Sequence, residues 1–416
     1  MFVDELYQFI PTKRIWVRPG GKPWYASFLH KLARYRDRLY NRSCRTDIDS
    51  LVRVTYRKVR NWYVRELRNA ERVYYRSVLA ELSQSASNYN PHRWWSCVNG
   101  MLGLKPKDAV PPLLYNLKFC HTADEKASCL NSAFAAQCSA PQSNSSPAIS
   151  NSTSSFSFDL VFSDEVGSCL MRLCKWKALG MDNLSQLVLK ECALEIAVPL
   201  ASIINLSLSS GVFPEWKLAV TQPVSKRKGD PSNPHNYRPI SLLICVAKIY
   251  ESLVKKQLLS FCFANDIIPD EQFGFLPKRS ADWQLLLLLS DWHDALNSGK
   301  SVHALFLDVA KAFDRVDHKL LLLKLEAIGV GGVALEWFSS YLSTRQMCTC
   351  VDGVRSSLLP ISSGVPQGSV LGPILFVIYF RDLPAAVSSS CAIFADDSLI
   401  YEIVPRLGAW ANPAAS

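Results

Sequence analysis

The stretch AIFADDSLIYEIV at residues 392–404 places two adjacent aspartates, Asp396 and Asp397, between two apolar runs. This pattern predicts a β-hairpin, with residues 392–394 and 398–404 as its arms and the acidic pair at its bend. Successive side chains on a regular strand face opposite ways, so a bend is what would let both aspartates lie near one site. A pair of aspartates in a turn is weak evidence by itself, because Asp is common in turns.

A second apolar run, VHALFLD at residues 302–308, predicts a buried strand that ends at Asp308. Phosphodiester synthesis from a nucleoside triphosphate uses two divalent metals about 3.5–4 Å apart. Mg²⁺ prefers oxygen ligands, usually one or two carboxylates together with substrate phosphates. Asp308, Asp396 and Asp397 are therefore candidate metal ligands on separate strands.

The remaining segments mix helix-like and strand-like patterns without an internal repeat, which predicts an α+β fold. Apolar residues recur at three- and four-residue steps within residues 24–82, and residues 160–208 also predict helix. Residues 139–157 are rich in Ser, Asn and Pro, which predicts a flexible linker, placed within residues 111–160.

Positive charge is concentrated at the start of the chain. Residues 1–107 carry 21 Lys and Arg against 8 Asp and Glu, a net +13, whereas the whole chain has +10. This asymmetry favours a nucleic-acid partner over a solvated helix face. Aromatic residues interleaved with these basic residues are compatible with base stacking; they are Trp24, Tyr25, Trp62, Trp94 and Trp95. We interpret the tyrosines that recur at helical spacing as core residues.

The thirteen cysteines include no C-x-x-C pair, so we do not expect a metal–thiolate site. We expect the cysteines to be free thiols in a reducing compartment. No secretory signal is recognisable, because Asp4 and Glu5 interrupt the start. The longest apolar stretch, residues 370–380, is about half a membrane span. These features predict an intracellular protein of the nucleus or cytoplasm, without a transmembrane segment.

From about residue 173 to residue 401 the chain resembles the reverse transcriptases of non-LTR (LINE-type) retrotransposons, motif after motif in the family's order. Residues 173–224 resemble the opening fingers segment, with Gly-Met-Asp at 180–182 where the family usually has Gly-Pro-Asp. The other motifs are KRKGDPSNPHNYRPISLL (226–243), QFGFLPKRS (272–280), FLDVAKAFDRVDH (306–318), SGVPQGSVLGPILF (363–376) and FADD (394–397).

The resemblance implies a right-hand polymerase fold with fingers and a partial palm, in which the thumb is missing. It divides the chain into a basic helical connector (1–110), the linker (111–160), the fingers and palm (161–402) and a disordered tail (403–416). No endonuclease precedes the connector, and neither thumb nor further palm elements follow Tyr401. The expectation is therefore an incomplete fragment with little or no activity.

The resemblance also implies roles for individual residues. Asp308 and Asp396 would bind two Mg²⁺ ions, with Mn²⁺ possible, and Asp397 would support them. Phe313 would exclude the 2′-hydroxyl of a ribonucleotide. The residues implied to contact the triphosphate or to form the template- and nucleotide-facing turn are Lys226, Lys228, Arg238, Gly364, Gln367 and Gly368.

The implied activity is RNA-directed DNA polymerisation, with an RNA template, a DNA primer and deoxynucleoside triphosphates as partners; the oligomeric state is left open. Two alternatives remain. One is a nucleic-acid-binding remnant of a reverse transcriptase that no longer does the chemistry. The other is a protein related to intron maturases, which would need a further domain after the thumb.

Overall fold

The computed structural model describes residues 25, 27–44, 51–84, 110–115, 117–138, 154–174, 180–182 and 184–405, with only the backbone for 78–84. The chain divides into two compact units, residues 1–109 and 110–416. Helices and strands are mixed in the second unit, so the expected α+β class is observed. The twelve described cysteines form no disulfide with one another. The tail predicted at 403–416 is described only to residue 405, which still belongs to a strand.

The first unit is a helical hairpin of α1 (Ser27–Ser43) and α2 (Leu51–Gln84). Its small core joins Leu32 and Leu39 to Val59 and Tyr63. The hydroxyls of Tyr25 and Tyr63 lie 2.9 Å apart. The interpretation of the periodic tyrosines as core is thus confirmed at Tyr63, whereas Trp62 is 40% exposed. Of the other aromatics named above, Trp24, Trp94 and Trp95 lie outside the described residues.

The second unit begins with structure where the sequence predicted a linker. Strands β1 (Leu113–Tyr115) and β2 (Lys118–Cys120) pair antiparallel, and helix α3 (Ala123–Gln137) follows. Thr122 and Glu125 form a capping box that satisfies the first amides of α3. The linker prediction is wrong for residues 111–115 and 117–138, because Leu130 and Phe134 bury an apolar face. It is also wrong for residues 154–160, where Phe156 is buried; residues 139–153 lie outside the described residues.

Most of the second unit is organised around one large helical core. Three helices lie in the segment predicted to be helical: α4 (Ser163–Met171), α5 (Gln186–Glu191) and α6 (Ala193–Ser210). Of the described helices, only α6 is long and apolar enough to cross a membrane, and this is weak evidence because its buried residues pack in the main core. The other helices that contribute to this core are α7 (Cys245–Ala264), α9 (His318–Ala327), α10 (Gly332–Leu342) and α11 (Gly372–Phe380). Two further helices, α8 (Ala281–Asn297) and α12 (Leu383–Ala386), lie outside it.

A five-stranded sheet has the order β4–β3–β6–β7, with β8 also paired to β6. Its strands are β3 (Leu218–Ser225), β4 (Tyr237–Leu242), β6 (Gln346–Val351), β7 (Val354–Arg355) and β8 (Leu359–Pro360). Strand β3 runs antiparallel to β4 and parallel to β6. The end of β4 thereby lies next to the segment that follows β8, where the Ser241 amide donates to the Gln367 carbonyl.

A separate three-stranded sheet has the order β5–β10–β9, formed by β5 (Lys300–Asp308), β9 (Ser390–Phe394) and β10 (Asp397–Pro405). The predicted strand and hairpin are both present. The prediction that residues 302–307 are buried is wrong: β5 lies at the edge of its sheet and Phe306 is 76% exposed. Helix α8 packs on this sheet.

Candidate active site

The three predicted aspartates lie at one end of the three-stranded sheet. In the antiparallel register of β10 and β5, Asp397 pairs directly with Asp308. On its other side Asp397 pairs with Phe394, so Ala395 and Asp396 form a two-residue turn. Side chains of directly opposed residues project from the same face of a sheet. The fold therefore brings Asp308 and Asp397 side by side, with Asp396 next to them in the bend.

The three carboxylates differ in their surroundings. Asp308 and Asp397 are exposed, whereas Asp396 is half-buried. Burial raises the pKa of Asp396, and the negative charges of Asp397 and Asp308 raise it further. Arg238 on β4 opposes this shift. Arg238 is thus close enough to act on the aspartate turn electrostatically, although it belongs to the other sheet.

The aspartates suit a divalent cation in donor type, because carboxylate oxygens are the ligands that Mg²⁺ and Mn²⁺ take. Among the described residues, no group of three or more His, Cys, Asp and Glu side chains is arranged to hold a metal ion. A site of one or two carboxylates that is completed by substrate phosphates needs no such group. The residues present therefore fit an open cation site.

Phe313 lies in a short 3₁₀ turn, Ala312–Arg315, which follows β5. Its ring stacks on Phe376 of α11 at a centroid distance of 4.5 Å and meets the edge of Phe275 at 5.8 Å. The side chain is half-buried and packs against the main core. Part of the Phe313 side chain is thus accessible, and part packs against the core.

The predicted turn at residues 363–369 is bound to this same 3₁₀ turn. The amides of Gly364 and Val365 donate to the carbonyls of Val316 and Phe313, each at 2.8 Å. The Nε2 of Gln367 donates to Oδ1 of Asp314 at 2.7 Å. Gln367 is thus bound to the buried carboxylate of Asp314, the residue that directly follows Phe313 in the sequence.

Asp314 was not among the predicted site residues. It is buried, and burial raises its pKa, while the Gln367 hydrogen bond and the charges of Lys311 and Lys226 lower it. Its position directly after Phe313 in the motif was visible in the sequence. Its contact with Gln367 was not, because the two residues are 53 positions apart.

Gly368 has φ +114°, a backbone conformation that side chains rarely adopt. A Cβ on Gly368 would also collide with the carbonyl oxygen of Ser241 in β4. The amide of Ser241 donates to the carbonyl of Gln367 at 2.8 Å. Glycine at 368 therefore permits the turn to press against the strand that carries Arg238.

The predicted basic cluster is only partly assembled. The Nζ of Lys226 donates to the carbonyl of His235 at 3.0 Å, and its charge acts on Asp314. Arg238 acts on Asp396. Lys228 is exposed in the loop between β3 and β4, and within the described part of the chain no hydrogen bond or ion pair ties it to the other predicted residues.

A second carboxylate that the sequence analysis missed is Glu251 of α7. It is buried, and one of its oxygens accepts hydrogen bonds from the amides of Val370 at 2.6 Å and Leu371 at 3.1 Å. These amides lie just before α11, where a helix start leaves donors without partners. Glu251 thus anchors the far end of the turn that contains Gln367. A lone acidic residue within an apolar helix was the available signal.

Comparison with known proteins identifies the fold around this site. Residues 225–402 match the family model described as reverse transcriptase (RNA-dependent DNA polymerase). All of the predicted site residues lie within that match. The aspartate hairpin, the 3₁₀ turn and the turn at 363–369 therefore all lie within the stretch that is similar to this family.

Among curated relatives, the "Probable RNA-directed DNA polymerase from transposon X-element" of Drosophila melanogaster is 33% identical over 239 residues, which is 56% of this chain and 26% of that protein. The RNA-directed DNA polymerase from mobile element jockey of the same species is 34% identical over 249 residues, 57% of this chain and 27% of that protein. The jockey polymerase of Drosophila funebris is 31% identical over 275 residues, 64% of this chain and 30% of that protein. The matched part of this chain thus spans under a third of each relative.

Proposed function

We propose that this chain carries a LINE-type reverse transcriptase domain and acts as an RNA-directed DNA polymerase that adds deoxynucleotides to the 3′ end of a primer. The observation that carries the proposal is the pairing of Asp397 with Asp308, with Asp396 in the adjoining turn. Acidic side chains from two strands meet there, and the charge of Arg238 on β4 acts on Asp396. This combination suits the binding of a nucleoside triphosphate.

In this proposal residues 161–402 are the fingers and part of the palm, and residues 1–110 are a basic connector. The three-stranded sheet belongs to the palm because it carries the aspartates. The five-stranded sheet, with its β3–β4 loop, belongs to the fingers and holds the triphosphate from the other side. The electrostatic effect of Arg238 on Asp396 supports this facing arrangement.

Asp308 and Asp396 would hold the divalent metals, with Asp397 in support, and we propose Mg²⁺ as the resident ion, with Mn²⁺ able to replace it. When bound, the metals would supply charge neutralisation for the triphosphate and activation of the primer hydroxyl. The chain's own contribution is to keep the carboxylates next to one another. Burial is the main cause of the raised pKa of Asp396, and the neighbouring charges of Asp397 and Asp308 add to it.

The remaining residues would bind and select the nucleotide. Arg238 and Lys226 would contact phosphate oxygens, Arg through its planar fork and Lys as a point charge; Lys228 would join them in the same loop. The exposed part of Phe313 would lie beneath the sugar and exclude a 2′-hydroxyl. Gln367 and Gly368 would face the nucleotide and the template, with Gln367 oriented by Asp314.

Primer extension on an RNA template tests the proposal, with the whole chain of 416 residues, a DNA primer, deoxynucleotides and Mg²⁺. The sequence predicts little or no activity, but because the three carboxylates are assembled we propose that the wild type extends the primer. We expect a loss of several orders of magnitude in Asp396→Asn. The matched control is Glu402→Gln, which changes an exposed carboxylate of β10 six residues after Asp396. Equal extension by the wild type and Asp396→Asn would contradict the proposal.

A second candidate function is nucleic-acid binding without chemistry. It is favoured by the helical hairpin of the first unit, whose exposed surface is strongly basic. The exposed cations are Lys31, Arg34, Arg38, Arg42, Arg57, Lys58, Arg60, Arg65, Arg68, Arg72 and Arg76. Binding of RNA with no primer extension under any divalent metal would favour this second function.

A further inference from the structure

The loop after α7 is fastened to the aspartate hairpin. The Phe273 amide donates to the Ile393 carbonyl at 2.8 Å, and the Ile393 amide donates to the Glu271 carbonyl at 2.9 Å. Between these two bonds the side chain of Gln272 is 2% exposed. Its Oε1 accepts hydrogen bonds from the amides of Gly274 at 2.8 Å and Ala395 at 2.9 Å. One buried oxygen therefore joins the loop to the turn that precedes Asp396.

The residue that Gln272 holds has an unfavourable backbone conformation. Ala395 has φ +62°, in the region where glycine is normally found. It is also buried, so its amide has no access to solvent. A buried amide without an acceptor is costly, and a strained turn persists only when its surroundings determine it. Gln272 supplies the acceptor for this amide.

Two neighbouring residues keep Gln272 in place. Gly274 packs so closely that a Cβ there would collide with the Ala395 amide nitrogen. The Nη1 of Arg279 donates to three carbonyls of the same loop, those of Pro269, Asp270 and Gln272, at 2.7–3.2 Å. The loop is thus held to the turn at several points, and Phe275 of the same loop meets the edge of the Phe313 ring.

We propose that Gln272 is a positioning residue, which latches the Ala395–Asp396 turn in its strained conformation and so fixes where the Asp396 carboxylate points. Its consequence for catalysis rests on the proposed polymerase function. Gln272 itself touches no substrate in this arrangement, because it is buried behind the turn. Arg279 supports it by holding the loop to which it belongs.

Hydrogen exchange of the whole chain, read on peptides that cover residues 390–401, tests the latch without any need for activity. In Gln272→Met, which keeps the length but removes the acceptor, the Ala395 amide should exchange about tenfold faster. Gln272→Glu retains an acceptor oxygen and should restore protection. The matched control is Gln186→Met, since Gln186 is also buried but its Oε1 has no hydrogen-bond partner among the described residues. Protection of α7 in the same data shows that each variant is folded.

If Gln272→Met does not fold, Gly274→Ala perturbs the same turn from its other side and should also accelerate exchange at Ala395. Steady-state incorporation then tests positioning: kcat should fall by about tenfold or more, with KM for the nucleotide nearly unchanged, because a small displacement of a reacting group costs rate rather than binding. Unchanged exchange at Ala395, or an unchanged kcat in an active enzyme, overturns the proposal. A wild type that incorporates nothing refutes the polymerase function instead, and the exchange data alone then decide the latch.

Discussion

Asp397 lies directly opposite Asp308 across the β10–β5 pairing. Like charges that face each other on adjacent strands destabilise a sheet, by roughly 0.2–1 kcal/mol relative to a neutral pair. Without a bound cation this pair therefore opposes folding. A protein that keeps such a pair at an exposed strand end gains nothing in stability from it, which is consistent with a ligand-binding role.

The first prediction is that Asp308→Asn raises stability and lowers metal binding together. In metal-free buffer with chelator, the free energy of unfolding should increase by a few tenths to about 1 kcal/mol. Mn²⁺ binding, followed by electron paramagnetic resonance, should weaken at least tenfold. Glu402→Gln, which faces His303 rather than a carboxylate, should change neither quantity appreciably. A loss of stability in Asp308→Asn would contradict the charge-pair argument.

The second prediction concerns nucleotide selection by Phe313. Phe313→Ala should increase incorporation of ribonucleotides relative to deoxynucleotides on one template, because space for the 2′-hydroxyl opens. Since the ring stacks on Phe376, the substitution should also cost about 3 kcal/mol of stability. Phe275→Ala, which removes the neighbouring ring, is the control. A loss of stability with an unchanged ribo-to-deoxy ratio would show that Phe313 is a core residue only.

The hairpin was predictable from sequence because its signal is local. Two apolar runs flank a short polar bend, and the observed strands β9 and β10 follow them closely. The resemblance likewise identified the residues that the structure gathers at one sheet end. What could not be predicted is which residues hold them, because Gln272 and Ala395 are 123 positions apart. Contacts of that separation depend on the complete fold.

The linker prediction failed for a different reason. The Ser, Asn and Pro composition of residues 139–157 was extended to the preceding segment, where the pattern is different. A capping box at Thr122 and Glu125 precedes apolar residues at helical spacing. Buried Asn131 then donates to the Ser357 carbonyl and accepts from the Thr349 hydroxyl. The local helix signal was present in the sequence, but its packing partners are over 200 residues away.

The third prediction is that Glu251 makes stability fall as pH rises. Burial raises its pKa, so the native state retains a proton that the unfolded state releases above about pH 4.5. Stability from this group is therefore complete at low pH and declines between the ordinary and the raised pKa. Glu251→Gln should flatten the curve, since its amide oxygen can still accept from Val370 and Leu371. Each unit by which the pKa of Glu251 is raised corresponds to about 1.4 kcal/mol of unfolding free energy that is lost as pH rises.

Urea denaturation of the wild type and Glu251→Gln between pH 5 and 8 measures this difference. Glu326→Gln, which neutralises an exposed glutamate of α9, controls for the loss of one negative charge. Parallel curves for the wild type and Glu251→Gln would mean that Glu251 stays ionised throughout and that its two amide donors outweigh burial.

The last prediction is that the basic helical hairpin gives salt-dependent, sequence-independent nucleic-acid binding. Residues 1–107 carry a net charge of +13, and the described cations on α1 and α2 are largely exposed. Each phosphate that they neutralise should contribute about 0.7–0.9 to the slope of log affinity against log salt. Replacing Arg57, Arg60 and Arg68 together with Gln should thus reduce the slope by up to about 2–3. Fluorescence anisotropy with a labelled oligonucleotide between 50 and 200 mM salt measures this slope.

The matched control replaces three exposed cations of the second unit, Arg172, Lys300 and Lys319, and should leave the slope close to that of the wild type. Equal effects of the two triple variants would mean that overall charge, and not the hairpin, determines binding; a flat salt dependence in the wild type would show that the basic face is merely solvated.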